Sequence, residues 1–97
     1  MEKKVVWTDE ARFWLEEIFD FIAIDNPTAA ERTVLNIIDK GDQLSTFYNR
    51  GFWLEDFDDI RFILYGHYRI AYSIGEKNVY ILGVYEGSLD IKRHLKV

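Results

Sequence analysis

The stretch IRFILYGHYRIAYSIGEKNVYILGVY, residues 60–85, contains three runs of β-branched and aromatic residues separated by two short turn segments. Such runs, bounded by glycine and polar residues, are typical of strands joined by tight turns. The sequence therefore predicts strands at Ile60–Tyr65, Tyr68–Ile74 and residues 79–85, with turns at residues 66–67 and 75–78. Apolar and more polar residues alternate along the second strand, as expected for a sheet with one face against helices.

Two amphipathic helices precede these strands. Thr8 offers its hydroxyl to the free amides of a first helix, whose apolar residues recur at spacings of three and four: Ala11, Trp14, Leu15, Ile18, Phe21 and Ile22. Asn26 and Pro27 are typical of the cap and first turn of a second helix. Its apolar positions are Ala30, Val34, Ile37, Ile38 and Leu44. The connection is so short that the helices form an antiparallel hairpin.

The N-terminal residues complete the predicted architecture. Residues 5–7 are β-branched and aromatic, which predicts a short strand. The order β-α-α-β-β-β predicts an α+β fold, in which an N-terminal strand and an antiparallel helical hairpin pack on a mainly antiparallel sheet of three to four strands. We expect residues 1–97 to form a single domain. Gly41 either ends the second helix or permits a close approach, and residues 47–53 are predicted as a loop over the core.

Composition excludes several classes of function. The chain has 17 Asp+Glu against 12 Lys+Arg, a net charge of −5, which argues against direct nucleic-acid binding through the overall field. The absence of cysteine excludes disulfides, thiolate nucleophiles and Cys-ligated metals, and two histidines exclude a His-rich metal site. No phosphate loop or redox motif is present, so no cofactor is expected. With no membrane-length apolar run, we expect a cytoplasmic protein without a membrane partner.

Two arginines on neighbouring predicted strands are the first candidates for a phosphate-binding or catalytic site. Arg61 and Arg69 are opposite in phase to the apolar residues around them, which predicts that they share the sheet face away from the helices. Two guanidinium groups on one face could bind a phosphate bidentately. The alternative is that Arg69 pairs with an acid such as Glu55 or Asp58 and only stabilises the sheet.

The remaining polar residues give weaker evidence for a functional site. His67 lies in a turn, and Glu86 is a lone carboxylate beside Tyr85. The acidic residues at 55, 56, 58 and 59 lack EF-hand spacing and indicate a solvated loop. The basic tail could contact phosphates or an acidic partner segment, through Lys92, Arg93, His94 and Lys96. The residues alone leave open a small enzyme acting on phosphate, a protein-binding module and a structural domain.

An ordered set of short motifs carries a family resemblance. These motifs are VWTxxAxxxLxxI from Val6, NPxAA from Asn26, RFIL from Arg61, YRIAY from Tyr68 and VxILxV from Val79, closed by Gly87. In this order they resemble the RelE/ParE toxin superfamily, closer to the ParE branch. The resemblance implies the toxin of a toxin–antitoxin pair of the plasmid-stabilisation type, bound by a cognate antitoxin. ParE-like toxins act on DNA gyrase, whereas RelE-like toxins cut mRNA on the ribosome.

The resemblance also assigns roles by position. Arg69 matches the arginine of a Tyr-Arg motif that stabilises charge at the scissile phosphate in RelE-like nucleases, and Arg61 falls at a basic position on the preceding strand. Glu86 stands near the family's histidine position, and Leu89 near that of an arginine. A carboxylate about 4 Å from a phosphate costs roughly 4 kcal/mol at an effective dielectric constant near 20. The acidic chain therefore departs from the nuclease pattern.

Three functions are carried forward. The favoured one is a ParE-like toxin that binds an antitoxin and an intracellular target such as DNA gyrase. The alternatives are a RelE-like endoribonuclease that uses Arg61, Arg69 and Arg93, and an inactive family member with only a binding role.

The partner is expected in a groove beside the helical hairpin or on a free sheet edge. Its contacts are predicted at Phe13, Phe47, Phe52, Trp53, Lys92 and Arg93. Because large aromatic side chains are usually buried, the first expectation for the four aromatic residues is nevertheless a core position.

Overall fold

The computed structural model describes residues 2–87 of the 97-residue chain. The elements in chain order are β1 (Lys4–Trp7), α1 (Asp9–Ala23), α2 (Pro27–Asp42), α3 (Leu44–Phe47), β2 (Phe52–Trp53), β3 (Ile60–Tyr65), β4 (Tyr68–Ile74) and β5 (Asn78–Glu86). The predicted α+β class is confirmed. The sheet has five strands rather than three to four, because β2 adds a two-residue strand that is too short to show a period-two pattern.

The strands lie in the order β1-β5-β4-β3-β2. β1 pairs in parallel with β5, from Lys4 opposite Asn78 to Trp7 opposite Ile81, and the other three pairs are antiparallel. The register between β4 and β5 shifts at Ala71/Tyr72, so that Leu82 is an extra residue on β5. The first and last strands are therefore neighbours in the sheet.

The predicted caps fix the helical hairpin. The Thr8 hydroxyl accepts a hydrogen bond from the Ala11 N–H at 3.2 Å and donates to the Ile81 carbonyl at 2.6 Å. It therefore begins α1 and also anchors that helix to β5. The Asn26 side chain accepts from the Ala29 N–H at 3.0 Å, with Pro27 at the first helical position.

The main core lies between the helices and one face of the sheet. Most of the predicted inward residues of the helices pack there against β4 and β5, and its fully buried side chains include Ile37, Leu44, Ile70, Tyr72, Val79, Ile81 and Val84. The prediction for Phe21 is wrong, since its side chain is 72% exposed. Phe21 lies about 100° around the helix from Ile22, which takes the inward position.

The opposite sheet face is covered by the loop between β2 and β3. Leu54, Ile60, Ala71 and Tyr85 form a second buried cluster, against which Phe57, Phe62, Leu82 and Trp14 pack. The sheet therefore has apolar packing on both faces, although the helices cover only one.

Gly41 permits a close approach, which is one of the two predicted roles. It is buried within α2, and a Cβ atom at this position would lie 2.5 Å from the ring of Trp7. The residue after Gly41 is Asp42, and its carboxylate accepts a hydrogen bond from the Trp7 Nε1–H at 3.0 Å. α2 therefore packs its backbone directly against the tryptophan of β1. The helix continues past the glycine to Asp42.

Candidate functional site

Arg61 and Arg69 lie on opposite faces of the sheet, so the prediction that they share a face is wrong. Arg61 is directly opposite Tyr72, and Arg69 is directly opposite Leu64. Directly opposed residues share a face, and residues three apart on a strand do not. The reason is the two-residue turn after β3. Because of its length, odd-numbered residues of β3 lie directly opposite even-numbered residues of β4 and share their face.

Arg61 holds the segment that precedes β2. Its Nη1–H donates to the Asn49 carbonyl at 2.9 Å, and its Cζ lies 4.0 Å from the centroid of the Trp53 ring. Beside it, the Tyr72 hydroxyl donates to the Tyr48 carbonyl at 2.8 Å and accepts from the Gly51 N–H at 3.0 Å. Burial raises the pKa of Tyr72, although the Gly51 hydrogen bond and the Arg61 charge oppose that rise. Arg61 and Tyr72 together fix residues 48–53.

Arg69 lies on the other face, partly buried against aromatic carbon. Its Cζ is 5.1 Å from the centroid of the Phe62 ring. Within residues 2–87 it forms no ion pair with Glu55 or Asp58, whose side chains are exposed, so the alternative role predicted for it is not seen. A cation–π contact of this kind is worth about 0.5–1 kcal/mol at an exposed site.

The other polar candidates are dispersed. The exposed His67 ring lies 4.4 Å from that of Tyr68, and Glu86 is opposite Tyr68 on the next strand. Burial raises the pKa of Tyr68, and the Glu86 charge adds to the rise. Among residues 2–87, no group of three or more His, Asp or Glu side chains could hold a metal ion, and no helix is long and apolar enough to cross a membrane.

The basic tail at Lys92, Arg93, His94 and Lys96, with Leu89, lies outside the described residues. Its predicted partner contacts therefore stay predictions.

The aromatic residues expected in the core are on the surface. Phe13 is 50% exposed, Phe52 60% and Trp53 57%, and Phe47 is exposed as well. The core expectation is wrong because β2 is the edge strand of the sheet and Phe13 lies outside the inward stripe of α1. Phe52 contacts the Phe62 ring at 5.5 Å, and Phe13 contacts the edge of the Trp14 ring at 5.6 Å. These side chains are therefore available to a partner.

A cleft also lies beside the helical hairpin, where the sequence predicts one. Its volume is about 560 Å³, and it is open to solvent between α1 and the turn that joins β3 to β4. Its walls include Phe21, Ile22, Thr33, Tyr65, Tyr68 and Glu86. The cleft combines aromatic carbon with the carboxylate of Glu86.

Comparison with known proteins identifies the family. Residues 5–91 match the family model described as the ParE toxin of type II toxin–antitoxin system, parDE. The chain belongs to this toxin family. The resemblance to the RelE/ParE superfamily is thereby confirmed. No curated protein sequence matches the chain significantly.

Two solved structures share the fold of this ParE-family toxin. One is the chromosomal ParDE TA system from P. aeruginosa, with a TM-score of 0.77 and 19% identity over 88% of this chain and 96% of that one. The other is the toxin–antitoxin complex RelBE2 from Mycobacterium tuberculosis, with a TM-score of 0.68 and 22% identity over 89% of this chain and 99% of that one.

The sheet prevents Arg61 and Arg69 of this ParE-family toxin from contacting one phosphate group. Sequence reasoning missed a different set of cations. Lys40 and Arg50 line a pocket of about 90 Å³ with Gln43, Leu44, Phe47 and Ile63. Lys40 lies four residues before Leu44, which the predicted second helix includes, so this spacing was the available signal for a lysine beside that apolar residue.

Proposed function

We propose that this ParE-family toxin acts by binding proteins in the cytoplasm. One partner is a cognate antitoxin that neutralises it, and the other is an intracellular target, for which the ParE resemblance indicates DNA gyrase. The observation that carries the proposal is the placement of Arg61 and Arg69 on opposite faces, which keeps these two guanidinium groups from converging on one phosphate. The exposed rings of Phe13, Phe52 and Trp53 supply apolar surface typical of a protein interface.

The two solved relatives support an antitoxin partner. One is described as a ParDE TA system and the other as a toxin–antitoxin complex. The net charge of −5 further disfavours a polyanionic substrate.

The family resemblance implies that the antitoxin is encoded beside the toxin, so expression in a host that lacks the neighbouring gene tests the proposal. We expect growth arrest, relief of that arrest when the neighbouring gene product is co-expressed, and a stable complex of the two purified proteins. Addition of the purified toxin should inhibit supercoiling by DNA gyrase in vitro, and prior addition of the antitoxin should restore it. Normal growth together with no complex would contradict the proposal.

A RelE-like endoribonuclease is the second candidate, and Arg69 is the observation that favours it. Arg69 belongs to the Tyr-Arg motif and forms no ion pair within residues 2–87, so its charge is available to a phosphate. The variant Arg69→Ala separates the candidates. If the protein is a nuclease, the variant loses both toxicity and mRNA cleavage, because one guanidinium that stabilises a transition state contributes about 10²–10³ in rate. If it acts by binding gyrase, toxicity persists and no mRNA is cleaved by either protein.

A further inference from the structure

A row of side chains crosses one end of the sheet beside the helical hairpin. Tyr65 lies directly opposite Tyr68, and Tyr68 lies directly opposite Glu86 on β5. Directly opposed residues share a sheet face, and Tyr68 belongs to the main core, so the row lies on the face that the helices cover. The Asn36 side chain on α2 donates to the Tyr65 hydroxyl at 3.0 Å and connects that ring to the hairpin. Two phenol rings and a carboxylate are therefore neighbours in one row.

The cleft beside the hairpin contains this row in its wall. The helices contribute the Phe21 ring, which is 72% exposed. At about 560 Å³ the cleft is within the range of roughly 300–1,000 Å³ that is usual for sites of small molecules. A recess of about 110 Å³ adjoins it and shares Phe21, Tyr68 and Glu86 with it, and Glu17 of α1 lines that recess. The cleft and the recess together form one aromatic surface with carboxylates on two different elements.

The carboxylates at this surface are not neutralised within the described part of the chain. Neither Glu17 nor Glu86 forms an ion pair with any of residues 2–87, and no lysine or arginine among them lines the cleft or the recess. The faces of aromatic rings attract cations, and carboxylate oxygens accept hydrogen bonds from N–H donors. The chemistry of the site therefore suits an organic cation that carries hydrocarbon next to its charge.

We propose that this cleft binds a small aliphatic polyamine. The hydrocarbon segments of the ligand lie against Phe21 and Tyr65, one ammonium group lies over the Tyr68 ring near Glu86, and another reaches Glu17. Several cationic groups on one short chain match carboxylates that come from both α1 and β5. This site goes beyond the proposed function and does not depend on it.

Other classes of small ligand fit the cleft less well. A phosphate or another anion would face Glu86 in a protein of net charge −5. An uncharged apolar molecule would cover carboxylates without giving them a hydrogen-bond donor, which costs free energy. Among residues 2–87, no group of three or more His, Asp or Glu side chains could hold a metal ion. An amine satisfies both the aromatic and the acidic groups.

Calorimetric titration of the full-length protein with spermidine tests the inference. At low salt and pH 8, where imidazole groups are ordinarily neutral, we expect saturable binding at one site. Octane-1,8-diol, an uncharged chain of similar length, should not bind measurably. Sodium chloride at about 0.15 M should weaken the binding of spermidine, because it screens charges that are exposed to solvent.

Matched variants locate the site. Glu86→Gln is compared with Glu76→Gln, which removes the same charge at an exposed position near the other end of β4. We expect the first to weaken the binding of spermidine about fivefold and the control to change it less than about twofold. Phe21→Leu keeps hydrocarbon at an exposed position but removes the ring, and should weaken binding about two- to fivefold. Thermal unfolding of each variant checks that the fold is retained.

Saturable binding that Glu86→Gln and Phe21→Leu weaken, and that Glu76→Gln does not, supports the inference. The absence of saturable binding overturns it. Equal weakening by Glu86→Gln and Glu76→Gln also overturns it, because the amine would then act only as a counterion of the acidic protein. Binding that appears only after Lys92→Gln/Arg93→Gln would mean that these basic side chains compete for the cleft, and would overturn the assignment to a free amine. Each of these negative results leaves the proposed function standing.

Discussion

At the residue scale, the Tyr72 hydroxyl is the contact that fixes the segment before β2. It bridges the Tyr48 carbonyl and the Gly51 N–H, two backbone groups of that segment. We expect Tyr72→Phe to lower the free energy of unfolding by about 1–3 kcal/mol, because two partly buried backbone groups lose this partner. Urea denaturation measures the change. The control Tyr80→Phe removes a hydroxyl that accepts a solvent-exposed hydrogen bond from the Asn78 side chain and should cost well under 1 kcal/mol.

The raised pKa of Tyr85 predicts that the protein loses stability at high pH. Burial raises the pKa of this phenol from 10.0 to about 12, and the Glu10 charge adds to the rise. Above pH 10 the unfolded chain ionises at this residue while the folded protein does not, so the unfolded state binds fewer protons. Stability that is present below pH 10 is therefore lost as the pH rises towards about 12. Urea midpoints across this window should fall less steeply for Tyr85→Phe; equal slopes would contradict the assignment.

At the scale of elements, Gly41 sets the distance between α2 and β1. Alanine would favour the helix by about 1 kcal/mol, but its Cβ would lie 2.5 Å from the Trp7 ring. We expect Gly41→Ala to destabilise the protein by about 1–3 kcal/mol, because an aromatic ring packed in a core cannot move aside cheaply. In a Trp7→Leu background the same substitution should be neutral or stabilising. A double-mutant cycle measures this coupling, and an equal cost in both backgrounds would place the strain elsewhere.

The loop between β2 and β3 acts as a second covering layer of the sheet. Leu54 is 6% exposed within the cluster that this loop forms with Ile60, Ala71 and Tyr85, whereas Leu64 on the same sheet face is 48% exposed. We expect Leu54→Ala to lower the free energy of unfolding by about 2–4 kcal/mol and Leu64→Ala by about 0.5 kcal/mol or less. Denaturant titration distinguishes them. Equal effects would mean that the loop does not pack stably on the sheet.

At the scale of the whole molecule, the excess of acidic residues predicts a stabilising effect of salt. The net charge is −5, and an ion pair such as Arg12–Asp9 joins exposed side chains at 3.8 Å, where it contributes little. Raising sodium chloride from about 0.01 to 1 M shortens the Debye length from about 30 to 3 Å and weakens the repulsion. Urea midpoints should rise. The rise should be smaller after Glu55→Gln, Asp58→Asn and Asp59→Asn, and a fall would show that repulsion among the carboxylates does not control the salt response.

The order and type of the main elements could be predicted from the sequence, but the assignment of side chains to the two faces of the sheet could not. Thr8, Asn26 and Pro27 marked the helix starts because capping is a local interaction. The faces of Arg61 and Arg69 depend on how two strands align across a turn, which the phase along either strand alone does not give. The edge strand β2 and the loop that covers the second face depend on tertiary contacts. The exposure of Phe52 and Trp53 was mispredicted for the same reason.

The parallel pairing of β1 with β5 has a consequence for biosynthesis. β1 leaves the ribosome first, yet the neighbour to which it bonds is made last among the described strands. Contacts between such distant parts of a chain form slowly, and domains are completed only when all their parts have been synthesised. The nascent polypeptide therefore carries two helices whose apolar stripes have no finished sheet to cover. Native surfaces become available to other molecules only once translation has passed residue 86.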